Sequence, residues 1–330
     1  MGNSFLKTDS LENNAKSINK HLLEKLSGNP KELYKAASHL VVNGGKRLRP
    51  FLVIKCCQIL GGNKKQALPP ASAIEMIHNF TLVHDDIMDD DEIRHGVPTV
   101  HKKFSIPIAI LAGDVLFSKA YEVISNSNLD DHTAAKLCSS LARACIDVCE
   151  GQVMDIKMAE NKKIPNQARY IEMVRKKTSA LFDVSSSMGA ICAKGTKNDI
   201  ANMSSFGKNL GIAFQITDDL IGVMGDPKLT KKPVGNDLRE GKKSLPILLA
   251  LKKAKGKNRK KLLKVFGNKD ASKKELKEAV EIIRTIGIES EVRKQAFRYS
   301  SNAKKSLKKY SGRPKQELLY LLDFVVKRSL

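Results

Sequence analysis

Apolar residues recur at intervals of three and four along most of the chain, as in Ala71, Ile74, Ile77 and Phe80 or Leu318, Leu319, Leu322, Val325 and Val326. That spacing is the pattern of amphipathic helices, whereas alternating β-branched runs closed by hairpin turns are scarce. An all-α fold follows. Breaks are expected at Gly61-Gly62-Asn63, Pro69-Pro70, Gly96-Val97-Pro98, from Asn161 to Pro165, and from Gly225-Asp226-Pro227 through Gly241. None of these is a long Ser/Gly/Pro linker. Although 330 residues would suggest two domains, residues 1–330 therefore read as one helical domain with a basic helical part from about residue 251.

Composition narrows the class. With 42% hydrophobic and 28% charged residues, the chain can bury a large core and is neither disordered nor fibrous. The twenty-residue apolar run of a spanning helix is missing, since stretches such as Ile106 to Leu116 soon meet charge. The start, Met1-Gly2-Asn3-Ser4-Phe5-Leu6, lacks the hydroxyl residue of a myristoylation signal, and no apolar signal core follows. A cytoplasmic protein is expected. The six cysteines agree, because their spacing forms neither a disulfide framework nor paired Cys-x-x-Cys ligands; Cys138, Cys145 and Cys149 read as buried free thiols on a core helix.

The net charge of +23 is uneven: residues 251–330 hold 24 Lys or Arg against 8 Asp or Glu, leaving +7 for the rest. Such lysine runs can attract nucleic acid or an anionic membrane surface. Without interleaved aromatics they read better as solvated helix faces, so no nucleic-acid partner is expected, and at most a weak peripheral membrane contact.

Chemistry concentrates in two acidic segments. From Asp85 to Glu92, six of eight residues are acidic, directly after an apolar helical stretch. Asp85 and Asp89 fall one turn apart on one helix face, close enough to share a hard divalent cation. Acids at the end of a helix oppose its dipole, so a metal explains the placement better than a solvated end does. Phe214-Gln215-Ile216-Thr217-Asp218-Asp219-Leu220 repeats the arrangement. Two carboxylate clusters in an otherwise basic helical protein suggest a cavity with metal on each wall and a polyanion between. Mg2+ takes few carboxylates plus phosphate oxygens and water, which makes a diphosphate the natural ligand, and the His-rich sets of zinc sites are missing.

A diphosphate also needs cations. They occur in Gly44-Gly45-Lys46-Arg47-Leu48-Arg49-Pro50, Arg175-Lys176-Lys177-Thr178, Lys231-Lys232-Pro233 and Gly241-Lys242. Arg forks phosphate oxygens while Lys acts as a point charge.

These segments, in this order from Gly44 to Lys243 and with Gly-Gln-Val-Met-Asp at 151–155, Lys-Lys-Thr-Ser-Ala-Leu-Phe at 176–182 and Lys-Pro-Val-Gly-Asn-Asp-Leu-Arg-Glu-Gly-Lys at 232–242, resemble the trans-type isoprenyl diphosphate synthases. The resemblance implies one large helical bundle around a central active-site cavity, a homodimer, and Mg2+-dependent condensation of allylic diphosphates with isopentenyl diphosphate. It further implies that Asp85, Asp89, Asp218 and Asp219 bind Mg2+, with Gln152 and Asp155 lining the same region. Arg94, Lys177, Lys232 and Lys242 would hold the allylic diphosphate, with Thr178 and Gln215 beside them; Lys46, Arg49 and His78 would hold isopentenyl diphosphate. Asp85, Asp89, Lys177, Asp218 and Lys232 are the expected catalytic set. No side-chain base is required if the departing diphosphate removes the last proton.

Product length follows from what blocks the growing tail. Phe80 lies five residues before Asp85, about 7.5 Å down a helix, and Thr81 beside it is small. A single aromatic there resembles the archaeal-type enzymes that make the twenty-carbon product, geranylgeranyl diphosphate; farnesyl diphosphate or a mixed short-chain product is the alternative. Phe80 as ordinary core packing is the competing reading.

Two positions depart from the family pattern. Arg94-His95 stands where an Arg pair is usual, so isopentenyl affinity is expected to fall as pH rises through the His95 titration. Gly222 stands where a third Asp is common, with Asp226 nearby in what reads as a turn. A catalytically silent partner of another synthase should have lost the aspartates or cations retained here, and a terpene cyclase would not need Lys46 and Arg49.

Overall fold

Helix α1 (Gly2–Lys25), α2 (Lys31–Val42), α3 (Leu48–Gln58) and α4 (Lys64–Met88) open the chain in this computed structural model, which describes residues 2–161, 163–225 and 235–327, with side chains from residue 11. A two-stranded antiparallel hairpin follows, β1 (Ile93–Arg94) and β2 (Val97–Pro98), with Ile93 opposite Pro98 and Arg94 opposite Val97. Then come α5 (Val100–Lys103), α6 (Ile106–Ser125), α7 (Asp131–Glu160), α8 (Gln167–Val174), a π-helical turn (Arg175–Ser179), α9 (Ala180–Cys192) and α10 (Lys197–Met224). The last elements are α11 (Asn236–Arg239), α12 (Leu245–Lys253), α13 (Gly256–Val265), α14 (Lys273–Thr285), α15 (Ile288–Ser306) and α16 (Gly312–Lys327). The fold is all-α.

Most expected breaks are found, but α4 runs through Pro69-Pro70. A proline costs a helix the bond to the carbonyl four residues back. Here those carbonyls belong to Lys65 and Gln66, in the first turn, where Asn63 and Gln66 also close a reciprocal cap. The expected break therefore falls at Gly61-Gly62-Asn63 alone.

The described residues form two compact units. The first comprises Met1–Cys145, Leu181–Gly207 and Lys309–Leu318. Within it α4 packs on α3 and α6, burying Ala71, Ile74, Ile77 and Leu116 completely. Gly189 of α9 allows close approach to α3, since a β-carbon there would stand 2.7 Å from Cβ of Cys56. A buried ion pair, Lys55 to Glu317 at 2.7 Å, ties α3 to the start of α16.

The second unit comprises Ile146–Ala180, Lys208–Lys308 and Leu319–Leu330. Here α12 packs on α8 and α15, and α14 on α11 and α13. The π-helical turn is wedged between glycines of two neighbours: a β-carbon on Gly151 of α7 would overlap the backbone nitrogen of Lys177, and one on Gly211 of α10 would stand 2.7 Å from Cα of Ser179. Among the described residues no helix is long and apolar enough to cross a membrane. Of the three cysteines read as buried on α7, Cys145 is buried, Cys138 is half-buried and Cys149 is exposed; Cys149 falls on the same helix stripe as the exposed Ile146 and Val153.

Candidate active site

In the first unit the acidic segment ends α4. Asp85 lies in the last turn and Asp89 caps it, donating its N–H to the carbonyl of Asp85 at 2.9 Å. The chain then reverses through Asp90 in the left-handed region (φ 52°), with the N–H of Asp91 bonded to the carbonyl of Asp86 and that of Asp90 to Ile87. This is a Schellman ending with Asp in the usual glycine place. Asp86 faces inward, fully buried, and accepts Nε of Arg94 at 2.5 Å, while Nη2 of Arg94 reaches Asp91 at 3.1 Å. Burial pushes the Asp86 carboxyl up to about 6 in spite of Arg94. The hairpin carrying Arg94 is pinned again by His39, whose Nε2 donates to the carbonyl of Pro98 at 2.8 Å.

The same unit gathers much of the expected isopentenyl set. Nη1 of Arg49 donates to Nε2 of His78 at 3.1 Å, and its guanidinium lies 4.5 Å over the Phe182 ring. Burial, then Arg49, Arg94, Arg47 and His95, drive His78 far below the usual imidazole range, so it is a neutral acceptor. Burial pulls Arg49 down to about 10, which leaves it charged at neutral pH. The His95 ring lies against Gly44, where a β-carbon would be 3.3 Å away. Its pKa is lowered by burial, Arg94 and Arg47, so the pH window expected for it moves down. Lys46 is exposed. Arg47 is buried and bonded to Asn19, Glu75 and the carbonyl of Val41, which makes it an anchor of the glycine loop.

Phe80 is half-buried and not isolated. Its ring meets Phe117 of α6 edge-on at 5.3 Å and His84 at 4.7 Å, and Phe117 in turn meets Tyr121 at 5.1 Å. Thr81 spends its hydroxyl on the carbonyl of His78.

In the second unit the acids and lysines interleave. Asp219 is buried, receiving the phenol of Tyr170 at 2.6 Å on one oxygen and Nε2 of Gln215 at 2.8 Å on the other. Gln215 is oriented by Thr178, whose hydroxyl donates to its Oε1 at 2.8 Å. Lys242 places its ammonium 3.8 Å from Asp219 and 3.7 Å from Asp237. Lys177, on the π-helical turn, donates to Asp155 at 2.6 Å. Burial lifts the Asp219 carboxyl above its usual range against the pull of Lys242, Tyr170 and Gln215. Burial also works against charge on Lys242, but Asp219, Asp237, Asp155 and Asp218 more than offset it and hold the ammonium above its usual range. Lys243, next in the chain, turns away and caps α7 through the carbonyls of Met158, Ala159 and Asn161. Asp218 is exposed and Gln152 half-buried. Lys232 and Asp226 lie outside the described residues.

Among the described residues no three of His, Cys, Asp or Glu converge into a ready-made metal cage. The donors come as carboxylate pairs with no thiol or imidazole among them. This fits Mg2+, which binds through one or two carboxylates and completes its octahedron with phosphate oxygens and water.

Sequence reasoning missed Tyr170, Phe117 and Asp237. Tyr170 and Phe117 read as core aromatics, and only Asp237 carried a signal, as an acid inside the quoted 232–242 segment.

The chain is an all-α protein in which buried carboxylates and ammonium groups interleave. The family model described as polyprenyl synthetase matches residues 30–283. Geranylgeranyl diphosphate synthase from Sulfolobus acidocaldarius is 42% identical over 317 residues, covering 94% of this chain and 96% of that one. The short chain isoprenyl diphosphate synthase of Methanocaldococcus jannaschii is 43% identical over 253 residues, covering 77% and 76%. Among solved structures, geranylgeranyl pyrophosphate synthetase from Pyrococcus horikoshii superposes with a TM-score of 0.93 at 36% identity, covering 100% of both chains. The chain belongs to the polyprenyl synthetase family.

Proposed function

We propose that this chain is a prenyltransferase that joins allylic diphosphates (dimethylallyl, geranyl, farnesyl) to isopentenyl diphosphate, with geranylgeranyl diphosphate as the main product. The observation that carries it is the lattice of Asp219, Lys242, Asp155 and Lys177 in the second unit, where carboxylates suited to a metal alternate with ammonium groups suited to diphosphate oxygens. Asp85, Asp89, Asp218 and Asp219 would hold Mg2+, which when bound neutralises the diphosphate and makes it a better leaving group. Lys177, Lys242, Lys232 and Arg94 would take the allylic diphosphate, and Lys46, Arg49, His78 and His95 the isopentenyl one. As the allylic carbon–oxygen bond breaks, the lysines stabilise the charge that develops on the leaving oxygen. The double bond of isopentenyl diphosphate then attacks the allylic carbon. Loss of a proton to the departed diphosphate completes the product.

The matched family segment, residues 30–283, includes parts of both units. The homodimer is supported by apolar side chains left exposed on α6, namely Ile106, Ile110 and Leu111, and on α7, namely Ile146, Val153 and Ile156; equilibrium sedimentation tests it. The basic excess beyond residue 251 suits solvated helix faces, with Lys261, Lys264 and Lys304 paired to Glu278, Glu275 and Asp323.

Purified protein incubated with Mg2+, labelled isopentenyl diphosphate and each allylic diphosphate in turn should give a predominantly twenty-carbon product by chromatography. A fifteen- or twenty-five-carbon product would refute the length assignment alone. No product from any starter would refute the enzyme.

A further inference from the structure

Residues 292–309 hold seven Lys or Arg and no Asp or Glu. Most of this segment is α15, which is packed on α12 and α14 through Val292, Ala296, Ser300 and Ala303, so its helical register decides where the charge goes. At about 3.6 residues per turn, Ser290, Lys294, Phe297, Arg298, Ser301 and Lys305 share an arc of about 100° and a length of roughly 22 Å. All six are exposed. The lysine runs themselves hold no aromatic, but the register sets Phe297 between Lys294 and Arg298 with 51% of its surface exposed. Lys304 lies off the stripe, paired to Asp323 at 2.9 Å; among the described residues Lys294, Arg298 and Lys305 form no ion pair.

At its N-terminal end the stripe runs into an open cleft of about 680 Å3 between the end of α14 and the first turns of α15, lined by Arg284, Glu289, Ser290, Arg293, Lys294 and Phe297. Nε of Arg293 donates to Glu289 at 2.9 Å, and Nη2 of Arg284 to the carbonyl of Met224 at 3.3 Å. Three cations against one acid leave the cleft positive, with a phenyl ring on its wall. Water satisfies the cations but gains nothing from the ring, which is stabilised by entering an apolar layer. A surface with phosphate charge outside and hydrocarbon a few ångströms deeper meets both, and that is the headgroup boundary of an anionic membrane. Duplex nucleic acid supplies the charge alone, and a single strand stacks on rings in succession, of which the stripe has one.

We propose that α15 is the face by which this protein docks on an anionic lipid surface. Lys294, Arg298 and Lys305 meet headgroup phosphates, Phe297 enters the boundary beneath them, and the cleft of Arg284 and Arg293 receives one phosphate. Docking itself needs no catalysis; its use, delivery of a twenty-carbon chain into lipid, rests on the product proposed above.

The test uses the full chain with phosphatidylcholine vesicles, made with and without phosphatidylglycerol. The parent should sediment with the anionic vesicles and not with the neutral ones, and less as salt rises. The chain holds no tryptophan, so Phe297→Trp sets a single reporter on the stripe, and its emission should move to shorter wavelength on anionic vesicles. Lys294→Gln, Arg298→Gln and Lys305→Gln together should weaken binding about fivefold for each cation, about 100-fold in all. Phe297→Ser should weaken it roughly 3- to 10-fold. Tm should stay put in both, since these side chains are exposed. Lys257→Gln, Lys260→Gln and Lys277→Gln together remove the same charge from exposed positions on α13 and α14 and should change binding little. Equal loss in the two triple variants would assign the attraction to overall charge and overturn the proposal. Unshifted tryptophan emission would overturn it too, as would binding to a DNA duplex that persists at salt where anionic vesicles no longer hold the protein. Every reading is taken without substrate, so a failure to transfer prenyl groups would overturn the proposed function and leave the vesicles to decide docking.

Discussion

The phenol of Tyr170 donates to Oδ2 of Asp219 at 2.6 Å, joining residues 49 positions apart. Tyr170 is completely buried, and burial together with the nearby Asp219 carboxylate keeps its hydroxyl protonated far above neutral pH. The bond therefore always runs from phenol to carboxylate. It holds one oxygen of Asp219 while Gln215 holds the other, so the carboxylate is presented in one orientation.

Removing that hydroxyl should cost function more than fold. A hydrogen bond to a charged acceptor contributes about 1.5–3 kcal/mol, so Tyr170→Phe should lower kcat by roughly 10- to 100-fold and raise the Mg2+ needed for half-maximal rate. Gln215→Glu, which sets a second charge beside Asp219, should shift the Mg2+ requirement further. An unchanged Mg2+ profile in both would show that the two residues only fill space.

Phe80 and Phe117 meet edge-on at 5.3 Å, so either ring alone leaves part of the obstruction in place. Phe80→Ala should lengthen the main product beyond twenty carbons. Phe117→Ala should do so less, and the pair more than either. Product chromatography reads all three, and the stability loss should stay below the roughly 3–5 kcal/mol of a fully buried phenylalanine, since both rings are half-buried.

His95 is held below the usual imidazole pKa by burial and by Arg94 and Arg47. It is neutral at pH 7 and gains its proton only as pH falls beneath its ordinary value of about 6.5. His95→Arg, which is charged throughout, should bind isopentenyl diphosphate about fivefold tighter at pH 7–8. The advantage should shrink as pH drops below about 6.5. Comparing the two proteins at each pH cancels the titration of the substrate itself, and a KM ratio constant from pH 5.5 to 8 would rule the assignment out.

Lys55 and Glu317 are both nearly buried and 2.7 Å apart. Lys55→Met takes the buried ammonium from Glu317, whose contact with Arg313 at 3.1 Å is with an exposed side chain, and should lower stability by about 3 kcal/mol. Lys55→Met with Glu317→Leu should recover most of it. Denaturant unfolding measures both, and KM for either substrate should not move.

What the sequence determined about this protein is what depends on neighbours along the chain. Helical periodicity identified the fold class, because burial of one helix face repeats every three to four residues. The pairing of Asp85 with Asp89 followed from helical rise alone, and the acid-and-lysine segments pointed to Mg2+ and diphosphate because those chemistries need those side chains wherever they are placed. Pro69-Pro70 misled, since a proline pair reads as a break unless its lost bonds fall in an exposed first turn. Only the tertiary structure decided the π-helical turn at Arg175–Ser179, where the backbones of α7 and α10 press in at Gly151 and Gly211. It decided likewise that Tyr170 holds Asp219, that Phe117 backs Phe80, and that Asp237 stands beside Gly222. Each of these unites residues far apart in sequence, and the close approach of two helices is set by the packing of everything between them, which no local spacing encodes.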